Sequence, residues 1–246
     1  MDYLHGKRIT PLHHEMTPFE RRLAEFDKAC RKFHKAKANV AKTNGENPAD
    51  KKARIDDMNC ELEHLKRERR FVETMAVIQA GLDNYRDALR VTRNDTNETK
   101  AGKRKALHSE AHHGTEVLEE LMRADGRPKP SPKHTAHHLI AGRGKTPLTN
   151  LARIQLHLYN LRINDPDNGV WMFRLKEQAG HWSMPNAKSH GEIHTYNYEF
   201  WVLTNISAAS NEAMMRTALR KLRGMLESGT QPKHVTMPPD KTWNGK

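Results

Sequence analysis

Lys133-His134-Thr135-Ala136-His137-His138-Leu139-Ile140, then Asp167-Asn168-Gly169-Val170, then Ser189-His190-Gly191-Glu192-Ile193-His194 form the stretch whose reading decides the fold. Asn168-Gly169 is a hairpin-turn signal, and Val170-Trp171-Met172-Phe173 after it reads as a short strand. His190 and His194 are four residues apart, a spacing that places two side chains on one face of a helix, within reach of a common ion. The His137-His138 pair supplies a third nitrogen ligand and leaves one histidine for proton transfer. Three protein ligands with a fourth position open describe a catalytic metal site rather than a closed structural one.

Outward from this stretch, Asp125-Gly126-Arg127-Pro128-Lys129-Pro130-Ser131-Pro132-Lys133 carries three prolines at alternate positions, which cannot continue a helix and favour extended backbone. The sequence therefore divides into a helical region at 1–126, a Pro-rich linker at 127–133 and a second domain at 134–246. A fragment beginning near Lys129 is expected to fold by itself. Within the second domain Leu139 to Lys145 reads as a loop, and Thr149 to Leu161 as a helix with Leu151, Ile154, Leu158 and Leu161 on one stripe. Asn164-Asp165-Pro166-Asp167-Asn168-Gly169 is a turn cluster, and Gln178 to Ala187 an irregular loop. His190 to Thr204 and Asn211 to Glu227 read as helices, and the tail from Ser228 as frayed.

Met1 to Glu15 reads as an irregular arm in which His13-His14 is accidental. Thr17-Pro18 supplies an N-cap and a first helical residue. Phe19, Leu23, Phe26, Cys30 and Phe33 then form a helical stripe that stops before Asn44-Gly45-Glu46-Asn47-Pro48. From Pro48 or Asp50 a long helix runs to Leu89, with the charged spacers of a long hairpin's solvated face. Thr92 to Gly102 breaks it, and a third helix covers Lys103 to Met122. Ala111-His112-His113 repeats the tripeptide of the candidate site, but it lies among helix formers with no His-x-x-x-His behind it, so surface histidines are expected there.

Composition narrows the class. Apolar residues make up 36% of the 246, enough for a core. Nothing at the N-terminus resembles a signal peptide, no run approaches the roughly 20 apolar residues of a membrane span, and only Cys30 and Cys60 occur. The expectation is a protein made in a reducing cytoplasm, with export by a machine that reads no cleavable signal left open. From Arg127 to Lys246 there are 17 Lys+Arg against 8 Asp+Glu, whereas residues 1–126 hold 25 against 22. Most of the formal +12 thus lies in the half that carries the histidines, which suits a polyanionic partner.

Each piece also has a plainer reading. His137-His138 alone suits surface residues, and His190 with His194 a solvated face or, together with His181, a closed zinc site. Trp171, Phe173, Trp201 and Leu203 suit a core, and Arg143 and Lys145 solvated loop charges. It is the order of the pieces that resembles the HNH superfamily, and within it the AHH branch, nuclease domains found at the C-terminus of bacterial toxins. The resemblance covers about Lys133 to Phe200 and rests on Ala136-His137-His138, Asn168-Gly169-Val170-Trp171 and His190-x-x-x-His194. It departs from the pattern in a long, helix-bearing insertion between His138 and Asn168, and in a spacer containing His181, an alternative to His190 as ligand.

The resemblance implies a mainly α chain with a small β-hairpin, an N-terminal helical hairpin or bundle followed by a ββα-metal, HNH-like nuclease domain. His137, His190 and His194 would be the metal ligands, His138 the general base, and Asn168 the residue that fixes the hairpin and orients that base. Arg143 and Lys145 would hold the phosphate backbone. The cofactor would be one divalent ion. Three imidazoles suit Zn2+, Ni2+ or Mn2+, while related enzymes often use Mg2+. DNA would be the substrate, cut with little sequence specificity. A toxin of this kind, made in a bacterial cytoplasm and delivered into a target cell, also implies a cognate immunity protein and contacts of the N-terminal helices with a secretion apparatus or chaperone. Two other readings are a phage or mobile-element endonuclease, and a non-catalytic zinc module that binds nucleic acid.

Overall fold

A computed structural model of the chain describes residues 3–4, 7–8, 12, 16–40, 47–111 and 114–245. His13-His14 and His112-His113 lie outside the described residues. The chain packs as two compact units, 1–81 and 82–246.

In the first unit, β1 (Tyr3–Leu4) pairs antiparallel with β2 (Lys7–Arg8), where an irregular arm was expected. Helix α1 (Pro18–Val40) begins with proline at its first position. Thr17 and Glu20 cap it reciprocally: each backbone N–H donates to the other's side-chain oxygen, at 2.7 and 3.2 Å. Helix α2 runs Pro48–Asp87, and its residues up to Gly81 belong to this unit. Arg22 of α1 pairs with Glu68 of α2 and stands 5.6 Å over the Phe71 ring, while Phe33, Leu65 and Val72 are buried.

The second unit is built around a hairpin. Strand β3 (His134–His138) pairs antiparallel with β4 (Gly169–Phe173), with Ala136 opposite Trp171 and His138 opposite Gly169. Every residue of β4 is buried, because both faces of the hairpin are covered. Val170 and Met172 join a core with residues of α5 (Pro147–Leu158), α6 (Tyr196–Ile206) and α7 (Glu212–Ser228), among them Leu156, Trp201, Leu219 and Leu222. On the other face, Ala136 and Trp171 meet Leu118 and Met122 of α4 (Glu116–Ala124). The fold is thus mainly α with one small hairpin in each unit.

Several boundaries differ from those expected. The single helix expected over Lys103–Met122 is two, α3 (Asn97–His108) and α4. Ser109 caps α3, and Gly114 takes φ 81°, a backbone no helix continues through. The tail is packed rather than frayed: a 3-10 turn at Lys233–Thr236 buries Val235, and Asn197 Nδ2 donates to His234 O and Pro238 O at 2.8 and 2.9 Å. Residues 127–133 lie within the second unit. Arg127 donates to Gly169 O at 3.0 Å and also to Pro166 O, and Trp171 Nε1 donates back to Arg127 O at 3.2 Å. A fragment starting at Lys129 would lack α4 and expose one face of the hairpin; the compact unit holding the hairpin is 82–246.

Gly169 shows how closely α4 sits. A Cβ there would meet Met122 Sδ at 2.7 Å and Leu118 Cδ1 at 2.9 Å. Gly169→Ala should therefore cost about 1–3 kcal/mol, the usual range for overpacking. A denaturant midpoint unchanged from wild type would contradict the packing.

Candidate active site

Neighbouring residues of a strand point to opposite faces. That alternation separates the two histidines at the end of β3. His137, 3% exposed, faces α6, where its Nε2 lies 3.1 Å from the Tyr198 hydroxyl. His138 faces the other way, and its Nε2 lies 2.8 Å from Asn164 Oδ1. Ala136 before them must be small, since it is wholly buried among Leu118, Met122 and Trp171.

The segment bearing His190 and His194 is not the helix expected from Ser189 onward. His190–Glu192 is a 3-10 turn in which Ser189 N and Oγ both donate to Glu192 Oε2, at 2.9 and 2.8 Å, and α6 begins only at Tyr196. Thr195 is the reason for the late start. Its hydroxyl accepts from Tyr198 N at 3.0 Å, making it the N-cap, and donates to Val235 O at 2.6 Å. The tighter turn still brings the two rings together, with Nε2 to Nε2 at 2.8 Å. His137, His190 and His194 each present one nitrogen within 4.8 Å of the others, the one such group of potential ligands among the described residues. His181 is not part of it. It sits at 5.0 Å from the His134 ring and 2.7 Å from Ser183 Oγ.

The loop after His138 is tied at several points. Asn168, fully buried, accepts from Ile140 N at 2.8 Å and donates to Ile140 O and Ile163 O at 3.1 and 2.8 Å. Asn168 thus ties the loop after His138 to the hairpin, and the side chain touching His138 is Asn164. Arg153 donates to Gly142 O at 2.6 Å. Lys145 Nζ donates to His194 O at 2.8 Å and its backbone N–H to Glu199 Oε1 at 2.6 Å, so Lys145 braces the site. Arg143 is exposed and lines one open cleft with His137, His138, His190, His194 and Thr115.

Sequence reasoning did not find Asn164, Tyr198 or Glu199. Asn164 looked like one more turn former, and nothing in the spacing links Tyr198 to a histidine 61 residues earlier. The Tyr198 hydroxyl donates to Leu139 O at 2.9 Å, so its oxygen accepts a hydrogen bond from His137 Nε2–H. That leaves the lone pair of His137 on Nδ1.

The electrostatics suit a cation. Burial first, then the charges of His190, His194 and His138, push His137 well below the usual histidine range. Burial, with His194 and His138 adding to it, lowers His190 to about 4. Burial and then Lys145 lower His194, against a smaller opposing effect of Glu199. All three rings are neutral at pH 7, the form in which imidazole binds metal. The donor set fits a divalent transition ion. The sign of the pH effect follows. With a folded value near 4 and an unfolded value near 6.5 for His190, the folded state binds fewer protons in that window, so stability falls as pH drops through it. Melting of metal-free protein should show this slope, and His190→Gln should flatten it; an unaltered slope in the variant would contradict the assignment.

Residues 118–226 match the model of AHH, a nuclease family of the HNH/ENDO VII superfamily with conserved AHH. No curated protein and no solved structure matches the chain. The tripeptide for which the family is named stands here as Ala136-His137-His138, at the strand end where the two histidines diverge. Over residues 118–226 the chain is similar to the AHH nuclease family of the HNH/ENDO VII superfamily.

Proposed function

We propose that the chain is a metal-dependent DNA endonuclease with little sequence specificity, acting as an antibacterial toxin held in check by a cognate immunity protein. One observation carries the catalytic part: His138 opens on the same cleft as the His137, His190 and His194 group but has its own support in Asn164. A purely structural zinc site has no use for such a histidine. When bound, a divalent ion on His137, His190 and His194 supplies Lewis acidity toward a phosphate oxygen and the departing oxygen. His138 takes a proton from water, whose oxygen attacks phosphorus as the bond from phosphorus to the departing 3′ oxygen breaks, and that oxygen takes up a proton from solvent. Arg143 at the cleft's rim pairs with a neighbouring phosphate. The toxin role is supported by the resemblance to C-terminal toxin domains, and we assign the catalytic unit to 82–246, with delivery or partner binding left to the helices before it. No described helix is long and apolar enough to cross a membrane.

The basic surplus is spread through the C-terminal half, and phosphate contacts carry no sequence information. Digestion of a long linear duplex and an RNA copy, at about 50 and 200 mM salt, tests the reading. Scattered DNA ends and a steep loss of rate with salt are expected. Cleavage of RNA alone would sink the DNA assignment, and a few sharp bands at one sequence would replace the toxin with a mobile-element enzyme.

A further inference from the structure

We propose that Asn164 is a positioning residue that holds His138 as the Nε2–H tautomer, leaving the proton-accepting lone pair of the neutral ring on Nδ1. The inference rests on His138 being the base, as proposed above.

Asn164 is 3% exposed, and its amide has chemically unequal surroundings. Nδ2 lies 3.1 Å from Ala111 O and 3.4 Å from Glu110 Oε1, a carbonyl and a carboxylate oxygen that accept and do not donate. Oδ1 lies 2.8 Å from His138 Nε2. The reversed amide would set its oxygen against two acceptors, so the orientation is fixed by the partners. With the oxygen facing the ring, His138 Nε2 must carry the proton. A His138 that placed its lone pair on Nε2 would set it against Asn164 Oδ1 and lose this hydrogen bond.

The groups behind Asn164 are tied to one another. The Tyr85 hydroxyl donates to Glu110 Oε1 at 2.7 Å and accepts from Asn164 N at 3.1 Å. Arg162 donates to Glu110 Oε2 at 2.9 Å and to Tyr85 O at 2.8 Å, its guanidinium 3.8 Å over the Tyr85 ring. Tyr85, Glu110 and Ala111 all precede residue 118, where the family match begins. Asn164 itself lies within the matched segment, but the groups that orient its amide come from outside it.

Long-range proton–nitrogen correlation on the full chain labelled with 15N-histidine reads the tautomer directly, with the His138 signals identified by their loss in His138→Asn. Wild type should show Nε2 protonated and Nδ1 bare. Asn164→Ala should show mixed tautomers and cleave plasmid about 10–100-fold more slowly, with zinc affinity by calorimetry unchanged. Nδ1–H in wild type, or a tautomer unaltered in Asn164→Ala, would overturn the proposal. If Asn164→Ala folds poorly, the wild-type spectrum still decides. Undiminished cleavage by His138→Ala would instead remove the base assignment, an outcome distinct from a wrong tautomer.

Discussion

Replacing His138 by alanine should slow cleavage by about 10²–10⁴-fold, the usual cost of losing a general base, with metal affinity nearly unchanged. The split follows from the strand. His137 and His138 are adjacent, yet alternation sends one ring toward His190 and His194 and the other toward Asn164. Truncating His138 removes no nitrogen from the group of three. Calorimetry and single-turnover cleavage on the same preparations separate the two roles. A His138→Ala protein that loses metal as severely as His194→Ala would make His138 a ligand.

The second large effect is on stability. Asp167 is 2% exposed and receives Arg216 Nη1 at 2.9 Å, Arg220 Nε at 2.9 Å and Arg220 Nη2 at 3.1 Å. Burial alone would raise its pKa, but the hydrogen bonds from Arg220 and Arg216 outweigh it and hold the carboxyl below its usual range. Arg216 also reaches Asp165, which is 1% exposed and itself accepts from Arg86. Asp167→Ala leaves the largely buried Arg216 facing a gap, while the exposed Arg220 turns to solvent; breaking a buried pair from one side costs about 3–5 kcal/mol. That is a large share of the 5–15 kcal/mol typical of folded proteins. The same turn carries Asn164 and Asn168, so residual folded protein should also cut poorly. Denaturant unfolding measures the loss, and a change under about 1 kcal/mol would mean that the network behaves as a surface one.

How much of this was legible beforehand depends on distance along the chain. His190 and His194 were paired from their spacing and His137 was chosen over His138 from the family resemblance, and the three rings do converge, across 53 residues between His137 and His190. The helical stripes placed α1, α2 and α7 to within a few residues, whereas for α5 the span was close but the stripe was wrong: Leu151, Ile154 and Leu158 are exposed, and Ala152 and Leu156 face the core. The prolines at 128, 130 and 132 read as a boundary. They do stop helix, yet side chains around them, Arg127 above all, pack the segment into the second unit. A helix through His190 was inferred from a four-residue spacing, which a 3-10 turn followed by a capped helix start satisfies equally well. Asn164 could not be found, because its role comes from His138, Glu110 and Ala111, each 26 or more residues away.

Cleavage is expected to depend on one ion held by His137, His190 and His194. The rate of supercoiled-plasmid nicking by chelator-treated protein, followed as a divalent ion is added back, reads this dependence. No cleavage is expected without the ion, with saturation near one equivalent per chain and no recovery in His194→Ala. Full activity in the presence of chelator, or wild-type activity in His194→Ala, would rule out an ion held by these three histidines.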